Sequence, residues 1–170
     1  MSKPAHLLFA SAAILVLVAP AAALGRGGVA HPCGKPVAKA AIAAAKLPSD
    51  VKDAALHQPY AGIDRLFCFD FTRDGRPDIA LTVFSGGTAG DTSWLAFRRV
   101  GTTLRLVKFA RGYKVGLYRL DDDLATSQPV YLKDDPNCCP RGGFDHARFH
   151  WDGSKLARVR AWHDKRRVPQ

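Results

Sequence analysis

Apolar positions along this chain change their period near Gly62, and the change separates two kinds of structure. Before it, Val37, Ala40, Ala41, Ala44 and Leu47 recur three or four residues apart, with Lys39 and Lys46 off the stripe. That spacing is one face of a helix. Pro36 suits a first helical turn and Pro48 stops the helix, after which Ser49 or Asp50 is expected to cap a shorter one through Leu56. From Gly62 onward the apolar runs are short and broken by turn residues. The stretches 63–71, 78–84, 93–99, 103–111, 114–120, 129–132, 144–151 and 155–162 read as strands. Val100-Gly101 and Asp152-Gly153 mark tight connections, and strands joined so closely run antiparallel. The phase of Leu104 and Leu106 shifts to Val107 and Phe109, as a bulge produces. Several runs do not alternate cleanly, which predicts a sheet covered in part on both faces. The expected fold is α+β: an antiparallel β-meander sheet with an N-terminal helix packed on one face, stabilised by disulfides.

The first two dozen residues have a different pattern. Lys3 precedes an apolar run over 7–18, Pro20 breaks it, and Ala21, Ala22 and Ala23 supply small residues for a peptidase. This is the form of a secretory signal peptide over 1–23. The run is shorter than the roughly 20 residues that span a bilayer. No cysteine follows it closely and no arginine pair precedes it, so unlipidated export by the general route is expected. Residues 24–34 then form a loose, glycine-rich mature N-terminus and 35–170 a single domain. The implied location is secreted or cell-envelope, and no later apolar stretch is long enough for a membrane span.

The chain carries 25 Lys and Arg against 15 Asp and Glu, a formal net charge of +10, and removal of 1–23 takes away Lys3 alone among these. Its four cysteines, Cys33, Cys68, Cys138 and Cys139, are an even set, which in an exported chain implies two disulfides. Three connectivities are open. One joins Cys33 to Cys68 and leaves a vicinal Cys138–Cys139 bridge between Pro136 and Pro140; the other two tie that loop to both upstream cysteines. The flanking prolines favour the first.

Chemistry is concentrated in Asp70-Phe-Thr-Arg-Asp-Gly-Arg-Pro-Asp78, which places a carboxylate at every fourth position around an Asp-Gly turn. Oxygen ligands grouped in such loops bind hard cations, and glycine permits the sharp bend. The segment resembles the calcium loop of FG-GAP or VCBS-type repeats through Asp70, Asp74, Gly75, Asp78 and the following Ile79-Ala80-Leu81. Thr72 and Arg73 depart from that pattern. The resemblance implies a cation held by the carboxylates of Asp70, Asp74 and Asp78, the Thr72 hydroxyl and the Arg76 backbone carbonyl. The expected ion is Ca2+ at the weak, extracellular end of the range, roughly 0.1–1 mM. One copy of about a dozen residues cannot make a propeller, which needs several blades, so only the loop is carried over. A plain β-hairpin whose aspartates form side-chain turns is the competing reading. The order of leader, early cysteine, Asp-Gly turn and a strand ending in Ser85-Gly-Gly-Thr-Ala-Gly90 also resembles LppP/LprE-type actinobacterial envelope proteins. That resemblance implies location rather than mechanism.

Other candidates are weaker. The 85–90 stretch lacks the following helix and lysine of a phosphate cradle, so an inter-strand loop is expected. Cys138, Cys139, His146 and His150 have a zinc-like composition, but the cysteines are adjacent and the compartment oxidising. His146 and His150 fall on one side of a strand. Asp121, Asp122, Asp123, Asp134 and Asp135 read as solvated loop charges, and both groups would supplement the cation loop if the fold brings them near Asp70. No nucleophile elbow and no His-Glu-x-x-His pattern appears.

Basic residues cluster over 98–119 (Arg98, Arg99, Arg105, Lys108, Arg111, Lys114, Arg119) and again near the C-terminus (Lys155, Arg158, Arg160, Lys165, Arg166, Arg167). On adjacent strands they would form one positive face interleaved with Tyr113, Tyr118 and Trp162, attracting polyanions through Arg98, Arg105, Lys108, Arg158 and Arg160. No motif points to specific nucleic-acid reading.

These observations lead to a secreted or envelope domain that is not an enzyme and has a binding or structural role. An anionic cell-wall polymer is the alternative partner. An extracellular hydrolase using Asp70, Asp74, His146 and His150 is the second alternative.

Overall fold

This computed structural model describes residues 32–169; the leader expected over 1–23, and residues 24–31 of the expected loose segment, lie outside the described residues. The fold is α+β, as the pattern predicts. Helices α1 (Lys35–Ala44) and α2 (Ser49–Leu56) precede eight strands: β1 (Gly62–Phe69), β2 (Asp78–Phe84), β3 (Asp91–Val100), β4 (Thr103–Arg111), β5 (Gly116–Leu120), β6 (Asp123–Pro129), β7 (Phe144–Trp151) and β8 (Leu156–Asp164). The meander is divided into two antiparallel four-stranded sheets, ordered β1-β2-β3-β4 and β5-β6-β7-β8. The division falls after β4. Gly112, Lys114 and Val115 donate their N–H groups to Thr92, Ala89 and Asp91 carbonyls at 2.9–3.0 Å. Lys114, at φ +50, turns the chain out of one sheet and into the next.

The three layers follow from two separate apolar clusters. Ile79, Leu81, Val83, Leu95 and Phe97 face Ala38, Ile42, Val51 and Ala55 of the helices. Ala80, Trp94, Ala96 and Phe69 face Leu117, Leu124, Phe149, Trp151 and Leu156 of the second sheet. The first sheet is therefore covered on both sides, which is why β2 reads as a nearly continuous apolar run rather than an alternation. The expected bulge is present: Ala96 pairs with Lys108 and Phe97 with Leu106, leaving Val107 unpaired. Leu104 and Leu106 pack toward the helices while Val107 packs toward the second sheet.

Disulfides join Cys33 to Cys68 and Cys138 to Cys139. The first fastens the segment before α1 to β1. Arg99 fastens the same segment: its side chain is fully buried, donating from Nη2 to Pro32 O and from Nε to Pro77 O, both at 2.9 Å.

Four expectations require correction. Helix α1 ends at Ala44, because Ala45 is already extended at ψ 151°. Neither Ser49 nor Asp50 caps α2; Pro48 occupies the cap position, and both Asp50 carboxylate oxygens instead accept from Arg111 at 2.8 and 2.9 Å. The strand expected over 129–132 lies at Asp123–Pro129. Pro129 ends it, having no N–H to continue the ladder, and the Val130 N–H turns to Gly143 O. Asp123 is consequently not a solvated loop charge but is buried in a strand.

Candidate functional site

The loop over 70–78 closes the β1–β2 hairpin, with Phe69 opposite Asp78. Arg73 and Gly75 both have positive φ, +59 and +83. Glycine suits such backbone and arginine is strained there. The carboxylates are turned onto the protein's own donors. Asp70 accepts from the Asp74 N–H at 3.0 Å and the Gly75 N–H at 2.7 Å, and Asp74 from the Arg76 N–H at 3.2 Å and Arg98 Nη2 at 3.2 Å. Asp78 is buried and accepts from the Thr72 N–H and hydroxyl at 3.0 and 2.9 Å and from the Arg99 N–H at 2.8 Å. Burial is the largest influence on Asp78 and holds its pKa above the ordinary 3.8, against the opposing pull of the Arg99 and Thr72 donors. The folded protein then takes up this proton before the unfolded chain does. Asp78's own contribution to stability accordingly grows as pH falls from that raised value toward 3.8.

This donor set does not fit the calcium arrangement. The Thr72 hydroxyl is spent on Asp78, Arg98 occupies Asp74, and among the described residues no group of three or more His, Cys, Asp or Glu is placed to hold a metal. Asp123 does approach the loop, but through Arg73 at 3.9 Å rather than toward the other carboxylates.

On the outer face of the second sheet, His146 and His150 share one side as expected, each with its own aspartate. His150 Nδ1 meets Asp123 Oδ1 at 2.7 Å, and Asp123 Oδ2 also accepts from Arg148 Nε at 2.6 Å. His146 is buried, with Nε2 3.3 Å from Asp164 Oδ1 and 2.9 Å from Arg166 O, under a stacked Trp162 ring. Ser127 pairs with His146 across the ladder, yet His146 Nδ1 is buried with no hydrogen-bond partner among the described residues. A nucleophile–base contact is therefore not formed there. Asp70 and Asp74 belong to the hairpin loop and are engaged as described, so the four residues of the hydrolase reading do not share one centre.

The basic residues are distributed by strand register. Arg98 pairs directly with Arg105, and cross-strand partners project on the same side. That side faces the second sheet, since the Arg98 guanidinium lies 5.3 Å from the Trp151 ring centroid. Lys108 Nζ lies 5.2 Å from the Phe149 centroid, and Arg158 is the ladder partner of Phe149. Arg98, Arg105, Lys108 and Arg158 thus gather where edge strands β4 and β8 flank the opening between the sheets. Arg158 also lines a groove of about 550 Å³ with Thr126, Gln128, Asp145 and His163. Arg160 is separated from this group: it pairs with Arg148 and lies over Trp162 on the outer face. Arg99, Arg111 and Arg119 are engaged elsewhere, with the proline carbonyls, Asp50, and the Phe69 ring respectively. The single positive face expected from composition is therefore a smaller edge cluster.

The loop carrying the vicinal disulfide is clamped at both ends. Asp135 accepts from the Leu132 and Arg141 N–H groups at 2.8 and 2.7 Å and from Arg141 Nε. Burial pushes the Asp135 carboxyl up, but these donors outweigh it and bring its pKa down to about 2. Asn137 is held by Tyr113, Tyr131 and Lys114. Asp135 is therefore an engaged, enclosed carboxylate rather than the solvated loop charge expected of it. The Asp135–Arg141 spacing flanking Cys138 and Cys139 was the available signal for this clamp.

Comparison of the chain with protein-family models, with curated proteins and with solved structures gives no match.

Proposed function

We propose that this chain is an extracytoplasmic, non-catalytic binding domain whose partner is an anionic polymer met along the β4/β8 edge. The supporting observation is the Arg98–Arg105 cross-strand pair with Lys108 and Arg158 beside it. Like charges placed directly opposite in a sheet are unfavourable, and among the described residues only Arg98 of the four has a carboxylate partner, Asp74. A polyanion would relieve that repulsion and gain from the local potential. The groove alongside adds hydroxyl, amide and imidazole groups suited to a hydrated polymer. Two disulfides favour an oxidising compartment, and no helix among the described residues is long and apolar enough to cross a membrane.

Retention on heparin resin tests this reading. Arg105→Glu with Lys108→Glu is expected to weaken retention by about tenfold or more at low salt. Arg160→Glu, on the other face, is expected to leave it nearly unchanged. Equal loss from both, or none from the double reversal, removes the edge as the binding surface.

The loop over 70–78 serves this proposal as a hydrogen-bonded turn that positions Arg98. Melting temperatures in millimolar calcium and in chelator are expected to coincide, because a ligand stabilises only by binding the folded state. A calcium-dependent rise would mean that the carboxylates exchange their present donors for an ion.

A further inference from the structure

The vicinal disulfide contributes little to holding the chain together. In the chain-entropy model a bridge between neighbours limits the unfolded state by only about 1 kcal/mol, against about 3–4 kcal/mol for one closing a segment like 33–68. What the bridge does is local. Cys138 lines a pocket of about 100 Å³ with Pro129, Pro140, Phe144, Tyr131, Lys114 and Arg167. The walls are apolar or aromatic, and the two charged residues are both cations. Among the described residues neither cation has a carboxylate within ion-pair distance.

Lys114 is held in place at a cost. Its φ of +50 is unfavourable for a residue with a side chain, and such strain is found where surrounding structure enforces a particular position. Its Nζ donates to Tyr131 OH at 3.0 Å and to Asn137, and lies 5.4 Å from the ring centroids of both Tyr113 and Tyr131. All of these partners are neutral, so the positive charge is not cancelled. Arg167 lines the same pocket, and the planar fork of a guanidinium suits a carboxylate. The adjoining cavity of about 350 Å³ shares Lys114, Cys138 and Arg167 but adds Asp64 and Asp91. Those acids would repel a second negative charge on the ligand.

We infer that the pocket lined by Cys138 of the vicinal bridge, Lys114 and Arg167 binds an organic monocarboxylate with a small apolar body. The carboxylate meets Arg167 in the field of Lys114, and the body lies against Phe144, the prolines and the disulfide. Benzoate is the probe, followed by amide chemical shifts in the oxidised full chain at millimolar concentration. Shifts are expected at Tyr131, Phe144 and Arg167. Benzyl alcohol, lacking the charge, and phthalate, carrying a second one, are each expected to bind at least about tenfold more weakly. Arg167→Ala is expected to weaken benzoate binding by a similar factor. Lys114→Gly suits the positive φ and preserves the backbone, and it too should weaken binding. Cys138→Ser with Cys139→Ser should do so as well, with the spectrum otherwise retained. Absence of shifts, equal binding of benzyl alcohol, or unchanged binding in Arg167→Ala and Lys114→Gly would overturn the assignment. Heparin retention should be unaffected by Lys114→Gly, so this test and that of the β4/β8 edge fail separately.

Discussion

Asp78→Ala is expected to lower the stability of the fold by about 3–5 kcal/mol, more than any other single change in the hairpin loop. The magnitude comes from what the carboxylate leaves behind. Three donors, the Thr72 N–H, the Thr72 hydroxyl and the Arg99 N–H, lose their acceptor together. Asp78, Thr72 and Arg99 are all buried, so water replaces that acceptor poorly. The neighbouring Asp74→Ala removes an exposed turn contact and an exposed ion pair, and is expected to cost about 1 kcal/mol or less. Asp78→Asn keeps one acceptor oxygen and should fall between them. Urea unfolding of the three variants gives the order directly. If Asp78→Ala and Asp74→Ala lose equal stability, the buried network does not close the hairpin.

Replacing Cys33 and Cys68 with serine is the second large effect. The bridge closes a long segment of unfolded chain, so about 3–4 kcal/mol should be lost. For a domain of this size that corresponds to a drop of roughly 10–15 °C in Tm. The loss has a structural counterpart, because the bond fastens the segment before α1 to β1, where the Arg99 hydrogen bond to Pro32 O and the packing of residue 33 against the core then remain. The paired change at Cys138 and Cys139 should lower Tm by a few degrees at most. Scanning calorimetry of the two double variants separates a bridge that holds the fold from one that shapes a surface. Equal losses would contradict that division.

The elements that rest on local chemistry were legible. Asp78–Phe84, Thr103–Arg111 and Phe144–Trp151 were read with their observed bounds, because apolar runs between turn residues define them. β6 was misplaced, since Asp123-Leu-Ala-Thr-Ser-Gln-Pro has little strand propensity and begins with a carboxylate. Arg148 and His150, the partners of Asp123, come from β7 across a long connection, and no local pattern reports them. The division into two sheets depends on Gly112, Lys114 and Val115 bonding back to the start of β3, which is again non-local. Arg99 was counted with the surface charges because an arginine gives no sign of burial until its carbonyl partners are in place. The Arg98–Arg105 pair was within reach. Counting outward from the Val100-Gly101 turn places Arg99 opposite Leu104 and Arg98 opposite Arg105. In the cation loop, the sequence showed the carboxylates but not that Thr72, Arg98 and the loop amides would occupy them.

Each sheet is built from consecutive hairpins, and the Cys33–Cys68 bond lies wholly within the first half of the chain. A polypeptide emerging amino end first can therefore pair β1 through β4, seat its helices and oxidise that bond before β5 is delivered. Local pairing of this kind is kinetically fast. The later half then meets a finished template, Trp94 and its neighbours, on which to assemble.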